Sequence, residues 1–162
     1  MIFSIFFKKE KIIPNFTTKE TRFLSNFYPF KRFGTYPHRI EIYYENMLFL
    51  CVETAYHAAK TLDMNFRYEI SQMNPFDVFA LAKNGGIPVR ENWNNMKYDI
   101  MKDLLSQKFQ HPELKKMLLD TGNATLIEGN TWGDVYWGVC DGVGENNLGK
   151  ILMDIRKYLK QH

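Results

Sequence analysis

Ile40-Glu41-Ile42-Tyr43-Tyr44-Glu45-Asn46-Met47-Leu48-Phe49-Leu50-Cys51 runs directly into Val52-Glu53-Thr54-Ala55-Tyr56-His57-Ala58-Ala59-Lys60-Thr61-Leu62, and the period of the apolar residues changes at the join. Before it, Ile40, Ile42 and Tyr44 alternate with Glu41, Tyr43 and Glu45, the two-residue period of a strand. Glu45-Asn46 reads as a turn back into Leu48-Phe49-Leu50. After the join, Val52, Ala55, Ala59 and Leu62 recur at helical spacing, and Glu53, Tyr56, His57 and Lys60 fall on another face. A strand feeding a helix without a linker makes the fold class mixed.

Towards the C-terminus the pattern becomes mostly helical. Beyond Leu62 lies a looser region, with Asn74-Pro75 and Asn84-Gly85-Gly86 as breaks around a short helix at 76–83. The segment 92–109 is the longest amphipathic helix, with Trp93, Met96, Ile100, Leu104 and Leu105 three and four apart. Pro112–Asp120 makes a short helix ending at Gly122, a residue suited to the left-handed position after a helix. Residues 124–128 and 135–140 read as short strands. The closing helix at 148–160 has Leu148, Ile151, Leu152, Ile155 and Leu159 on its core side. Towards the N-terminus, residues 1–37 are aromatic and broken by Pro14, Pro29, Gly34 and Pro37. The expected class is α+β: one compact domain, helix-dominated, with a few short strands.

A chain of 162 residues is long enough for one self-sufficient core. Hydrophobic residues at 45% and charged residues at 24% exclude collagen-like and disordered classes. A net charge of +3 is too small for general duplex binding but fits a phosphorylated small molecule or a nucleic-acid end. The aromatic fraction is high at 15%, which serves either an aromatic core or base stacking. Cys51 and Cys140 cannot build a disulfide framework or a CxxC zinc pair, so a reducing compartment is expected. Lys8, Lys9 and Lys11 follow the apolar run Met1–Phe7 instead of preceding it, the reverse of a secretory signal, and no run reaches the length of a membrane span. The expectation is a cytoplasmic protein with no membrane partner.

Several motifs are weighed and set aside. Gly144-Glu145-Asn146-Asn147-Leu148-Gly149-Lys150 begins like a P-loop, but Ile151 stands where a Ser or Thr would hold magnesium. A glycine-rich turn entering a helix still presents N–H groups to a phosphate. It serves equally as a tight turn that uses Gly142 and Gly144 for unusual dihedrals. His38, His57, His111 and His162 lack metal-ligand spacing, and Glu53 with His57 is either half a metal site or a hydrogen bond. No G-x-S-x-G elbow occurs.

Two clusters remain. The row Glu53, Tyr56, His57 and Lys60 is either a solvated helix face or a site, and Tyr56 is an odd member of a merely solvated face. Trp132-Gly133-Asp134-Val135-Tyr136-Trp137-Gly138, followed by Asp141, Asn146 and Asn147, makes a poor core strand but a good pocket wall: flat rings for a base or ribose, with a carboxylate among them.

At these clusters the chain resembles the NADAR superfamily, whose bacterial branch includes the YbiA-like N-glycosidases. The matching pieces stand in family order: Phe23-Leu24-Ser25-Asn26-Phe27-Tyr28-Pro29; Val52-Glu53 with Tyr56 and Lys60; Pro88-Val89-Arg90 with Trp93 and Lys97. Then follow Met101, Lys108-Phe109, Leu118-Leu119-Asp120-Thr121-Gly122 and Leu126-Ile127-Glu128. The last are Asp134 with Trp137-Gly138, Gly144, Asn147, Leu148-Gly149, and Leu152-Met153 with Arg156. The resemblance spans Phe23 to Leu159, so residues 1–162 form one such domain with 1–20 as a variable extension. Phe49-Leu50-Cys51 departs from the Tyr-Pro-Thr common before Val-Glu. Thr54 and His57 stand where the family has His and often Gln, and Asn94-Asn95 where an acidic residue is common. These departures bear on substrate choice.

The resemblance implies cleavage of an N-glycosidic bond at ribose C1, with no metal and no cofactor. The substrate it implies is a phosphorylated ribose-containing small molecule, such as a riboflavin-pathway ribosylamine, or ADP-ribosylated guanine in a nucleotide or nucleic acid. A silent module binding ADP-ribose or a related nucleotide is the alternative. The clusters and the resemblance together give Glu53, Lys60 and Asp134 as candidate catalytic residues. Asn26, Phe27, Tyr56, Arg90, Trp93, Lys97, Trp132, Trp137, Gly138, Asn147 and Gly149 are the candidates for binding substrate. Glu53 suits the carboxylate that steadies positive charge at C1, and Asp134 suits the ribose hydroxyls. Lys60 suits either attack on an opened ribose or a fixed charge. Arg90 and Lys97 suit phosphate oxygens.

Overall fold

The order of elements follows the residues that start and stop them. A computed structural model describes residues 10–162, so the apolar run Met1–Phe7 and the first part of the expected N-terminal extension lie outside the described residues. Strand β1 (Ile12–Ile13) comes first, then a 3-10 turn at Arg22–Leu24. Strands β2 (Ile42–Tyr44) and β3 (Met47–Phe49) form the antiparallel hairpin expected from the sequence. Glu45 and Asn46 turn it in the left-handed region, at φ 46° and 64°. Helix α1 (Val52–Ala58) follows directly.

Helix α2 (Met64–Gln72) occupies the region expected to be loose. Its stop and start signals were present: the Asp63 side chain accepts from the N–H groups of Asn65 and Phe66 at its N-terminus. What it lacks is an apolar stripe, because one of its buried residues is Arg67, whose Nε donates to Thr61 O (2.7 Å) and whose guanidinium pairs with Glu45. Helix α3 (Pro75–Lys83) starts with proline in its first turn, capped by Asn74 Oδ1. Helices α4 (Trp93–Lys108) and α5 (Pro112–Asp120) lie close to their expected bounds. Gly122, at φ 67°, follows α5. Strands β4 (Thr125–Leu126), β5 (Gly129–Asn130) and β6 (Val139–Cys140) are two residues each, and α6 (Asn147–Gln161) closes the chain.

Among the described residues the strands make three separate pairs: β1 beside β4 and β5 beside β6, both parallel, and β2 against β3. No larger sheet organises them; the helices do. The class is therefore α+β and helix-dominated, as expected. The strand read at 135–140 is a correction: only Val139–Cys140 pair, because Asn130 and Asp134 fold the preceding residues into a loop. Along α6 the five residues Leu148, Ile151, Leu152, Ile155 and Leu159 are all buried. Burying each such side chain contributes about 1.5–3 kcal/mol before chain entropy is counted.

Helix α1 is the centre of the fold, packed against α2, α3 and α4 and against the hairpin. All seven of its residues are buried. This corrects two expectations. The row Glu53-Tyr56-His57 is not a solvated face, for these residues are 6–7% exposed. The helix also ends at Ala58, so Leu62 leaves the stripe and is 66% exposed. A helix buried all round is normally apolar; four polar groups within it demand partners, and those around Glu53, Tyr56 and His57 define the site.

Candidate active site

Glu53 sits in the first turn of α1, its N–H donating to Asn26 O (3.1 Å), which fixes the helix start against the Ser25–Phe27 turn. The Glu53 carboxyl meets His57 Nε2 one turn later at 2.9 Å. The pair read as half a metal site or a hydrogen bond is thus a buried hydrogen bond. Thr54, facing away, satisfies its hydroxyl on Cys51 O (3.1 Å).

Above this row lies a cavity of about 190 Å³. Asn26, Phe27, Glu53, Tyr56 and His57 line it from one side, with Lys60 at the end of the row. Glu128, Trp132, Asp134 and Trp137 line it from the other. Two further lobes share these walls. One continues past Lys83 and Gly133; the other is walled by Phe16, Phe27, Phe76, Phe79 and Trp132 with Arg22 and Lys83 at its edge. Phe27 stacks on Phe76 at 4.8 Å between ring centroids and meets Phe79 edge-on at 5.7 Å. The aromatic residues divide between two places: Phe16, Phe23, Phe49 and Phe109 are core, and Phe27, Phe79, Tyr56, Trp132 and Trp137 line the cavity.

The Trp132–Gly138 loop is shaped by side chains acting as backbone. Asn130 Oδ1 accepts from Asp134 N–H (3.0 Å) and its Nδ2 donates to Asp134 O (2.7 Å). Asp134 Oδ1 accepts from Tyr136 N–H (3.1 Å) and Trp137 N–H (2.8 Å). These Asx turns aim one Asp134 oxygen into the loop and leave the other for the cavity. Trp137 is held by an edge-on contact with Tyr136 at 4.8 Å, and its Nε1–H donates to Tyr56 Oη (3.2 Å). Burial raises the Tyr56 pKa, so the phenol stays protonated, and with the indole donating to its oxygen its own hydrogen is available to a ligand.

Lys60 lies just beyond α1, its carbonyl tied to Arg90 N–H (2.7 Å) and its Nζ 5.3 Å from the Tyr56 ring centroid. Burial lowers its pKa; Glu53 opposes that shift and Lys97 adds to it. The sequence reading did not assign Glu128 a role in the site. Its Oε2 is buried without a hydrogen-bond partner. Burial first, then the charges of Glu53 and Asp134, push its carboxyl up to about 8, against Arg22 and Lys108. Its signals in the sequence were an acidic residue closing the apolar pair Leu126-Ile127 and its place in the Leu126-Ile127-Glu128 piece of the family resemblance. The Asn26 Oδ1 and His57 Nδ1 atoms are likewise buried and unpartnered.

Other candidates lie elsewhere. The Arg90 guanidinium donates to Tyr44 Oη (3.0 Å) at the hairpin, away from the cavity wall. Trp93 is buried behind Tyr56 at 5.2 Å between rings. Lys97 lies over the Tyr136 ring, 3.7 Å from its centroid, outside the lining. Gly138 and Gly149 serve close approach: a Cβ on either would collide with a backbone carbonyl, Glu128 O or Leu126 O. Asn147 Nδ2 donates to Glu145 (2.9 Å). The glycine-rich turn is no phosphate cradle, because the N–H groups of Glu145, Asn146, Asn147 and Leu148 donate to Val135, Gly138, Tyr136 and Trp137 carbonyls.

The family model described as the NADAR domain matches residues 5–160. The chain is 39% identical over 110 residues to the N-glycosidase YbiA of Shigella boydii, covering 66% of this chain and 68% of that protein. It is 29% identical over 143 residues to a riboflavin biosynthesis protein of Vibrio vulnificus, covering 86% of this chain and 36% of that longer protein. The solution structure of the Escherichia coli protein YbiA superposes with a TM-score of 0.77 at 30% identity, covering 94% of this chain and 86% of that one.

Proposed function

This chain belongs to the NADAR domain family, and on that premise we propose that it is an N-glycosidase hydrolysing the bond between C1 of a ribose and a nitrogen in a nucleotide-like substrate. The observation that carries the reading is the Glu53 carboxyl, buried in the wall of an aromatic-lined cavity that Asp134 also lines. A carboxyl desolvated in this way is costly unless charge develops opposite it. Departure of the nitrogen leaves an oxocarbenium-like ribose, and Glu53 lies where it would steady that charge and take a proton from attacking water. The free Asp134 oxygen and the Tyr56 hydroxyl suit ribose hydroxyls, and Trp132 and Trp137 offer ring faces to a base.

One observation favours a covalent variant. Burial moves the Lys60 pKa down, which enlarges the share of neutral amine able to attack C1 of an opened ribose. The family resemblance implies two substrate classes: a phosphorylated ribosylamine of the riboflavin pathway, and ADP-ribosylated guanine in a nucleotide or nucleic acid. A cytoplasmic setting agrees with both cysteines standing as free thiols, and no helix among the described residues is long and apolar enough to cross a membrane. The test is incubation with each substrate class, reading free ribose 5-phosphate or ADP-ribose by chromatography. Release from either supports the glycosidase. Saturable binding of ADP-ribose with no release from either substrate makes the chain a binding module instead.

A further inference from the structure

Cleavage of a C1–N bond needs more than a carboxylate beside C1. Unless the nitrogen receives a proton as it leaves, it departs as a poor, negatively charged group. Glu53 is already engaged with His57, and the inner Asp134 oxygen with two N–H groups. We infer that Glu128 is the general acid of this site, donating the carboxyl proton to the leaving nitrogen. The inference rests on the glycosidase reading above.

The backbone holds Glu128 unusually firmly. Its N–H donates to Asn146 Oδ1 (3.0 Å), and its carbonyl accepts from Val139 N–H (2.9 Å). Asn146 also donates through Nδ2 to Leu126 O (2.8 Å), so a single side chain from the start of α6 clamps both ends of the Leu126–Glu128 segment. Gly138 packs so closely that any side chain there would strike the Glu128 carbonyl. The carboxyl so placed enters the cavity wall with Oε2 unpartnered. A buried carboxyl oxygen with no donor near it is better tolerated protonated than ionised.

Every charged neighbour bears on that proton. Glu53 on α1, hydrogen-bonded to His57, and Asp134 on the loop both favour its retention. Arg22 of the 3-10 turn and Lys108 of α4 oppose them, and Lys60 lies at the far end of the same row. The balance leaves the carboxyl titrating at about 8, so it is protonated through the neutral range while two other carboxyls share the cavity. A carboxyl that keeps its proton while two others line the same cavity is suited to the acid's part and leaves the base's part to another.

The C1–N bond breaks with its electron pair going to nitrogen, and that pair takes the proton from Glu128, which becomes a carboxylate. Water then bonds through oxygen to C1 and gives its proton to Glu53. The proton on Glu53 returns to Glu128 through solvent, leaving a ribose hydroxyl and an N–H product.

The experiment follows cleavage of an aminopyrimidine ribosylamine 5-phosphate and of ADP-ribosylated guanosine by the wild type, Glu128→Gln and Glu128→Asp across the pH range, with a thermal melt of each. The wild type should show kcat/KM falling above about pH 8. Glu128→Gln should lose at least about a hundredfold in kcat with KM little changed, and its profile should lose that basic limb. Glu128→Asp should recover part of the rate and the limb, and it carries the test if the Gln variant fails to fold. If Glu128→Gln turns over normally or keeps the basic limb, Glu128 is not the acid, although the glycosidase reading stands. If the wild type cleaves neither probe, the glycosidase reading falls and this inference with it.

Discussion

Two stretches of this chain promise ligand chemistry on paper, and the fold treats them in opposite ways. The row Glu53-Tyr56-His57-Lys60 looks like an ordinary polar helix face, and the turn from Gly142 to Lys150 looks like a phosphate loop. In the structure the helix face is buried, and polar atoms around it are left unspent: Asn26 Oδ1, His57 Nδ1 and Glu128 Oε2. The turn has used the N–H groups of Glu145, Asn146, Asn147 and Leu148 on the carbonyls of residues 135–138, and its Asn146 side chain on Leu126 and Glu128. Buried polar atoms without partners also occur at Arg67 Nη2 and His111 Nδ1, but around the cavity three of them gather on residues that line one space, and that clustering marks the site.

That contrast breaks first at Glu53. Glu53→Gln should keep the fold and ligand binding while kcat falls by at least about a hundredfold, the scale of an acid–base or charge-stabilising group. Near-normal kcat would show that the buried row is structural after all. Lys60→Ala should be similarly crippled whichever role the lysine plays, so borohydride is the sharper probe. Added during turnover, it should reduce an imine and leave one ribosyl-containing adduct visible by intact mass. Turnover without adduct, with Lys60→Arg still active, would reduce Lys60 to a fixed charge.

On the scaffold side, Asn146→Ala should destabilise the protein by about 2–3 kcal/mol in denaturant melts. It orphans the Glu128 N–H and the Leu126 carbonyl together and puts a residue less tolerant of the left-handed region at φ 54°. Lys150→Ala, exposed on the same turn, should alter neither stability nor affinity for a phosphorylated ligand. Loss of affinity in that variant would restore the phosphate-loop reading.

The same contrast explains how much was legible beforehand. Elements with a strong period were: the hairpin, α3, α4, α5 and the α6 stripe all lie close to where spacing puts them. Helix α2 was missed because a buried Arg67 replaces an apolar residue, and its compensation, Glu45, lies 22 positions away. Within the site, Glu53, Tyr56, Lys60, Asp134, Trp132, Trp137, Asn26 and Phe27 do come together around one cavity. Arg90 does not, since its partner Tyr44 belongs to the hairpin behind it. Glu128 could not have been chosen from spacing, because what distinguishes it is desolvation and the nearness of two carboxyls distant in sequence.

Trp137 links the two regions, with its backbone in the scaffold loop and its ring in the cavity. Trp137→Ala should weaken ligand binding by about 1–3 kcal/mol if a base or ribose stacks on it, read by calorimetric titration. Trp137→Phe should keep most of that stacking and lose only the bond to Tyr56, a change of about 1 kcal/mol. Stability falling while the affinity of the folded fraction holds would instead assign the ring to the scaffold.

A slope in stability with pH tests the same contrast at Glu128. The Glu128 carboxyl titrates at about 8 in the folded chain, against 4.5 ordinarily. Between those values the unfolded chain has released a proton that the folded chain keeps. The folded state therefore binds more protons, and the contribution of Glu128 to stability declines as pH rises through that window, levelling off above it. Lys108, moved down to about 7 by burial from 10.5, acts oppositely in its own window: from 7 to 10.5 the unfolded chain holds a proton the folded one has lost, and stability rises. The two trends overlap only near neutrality, so the raw melting curve of the wild type is a poor gauge of either. Subtraction isolates the first. The melting temperature of Glu128→Gln minus that of the wild type should grow steadily from pH 5 to 8 and flatten beyond, since every other group cancels. A difference independent of pH would mean that Glu128 titrates as an ordinary surface carboxyl, and the polarity at the foot of the cavity would then be no less satisfied than that of the turn beside it.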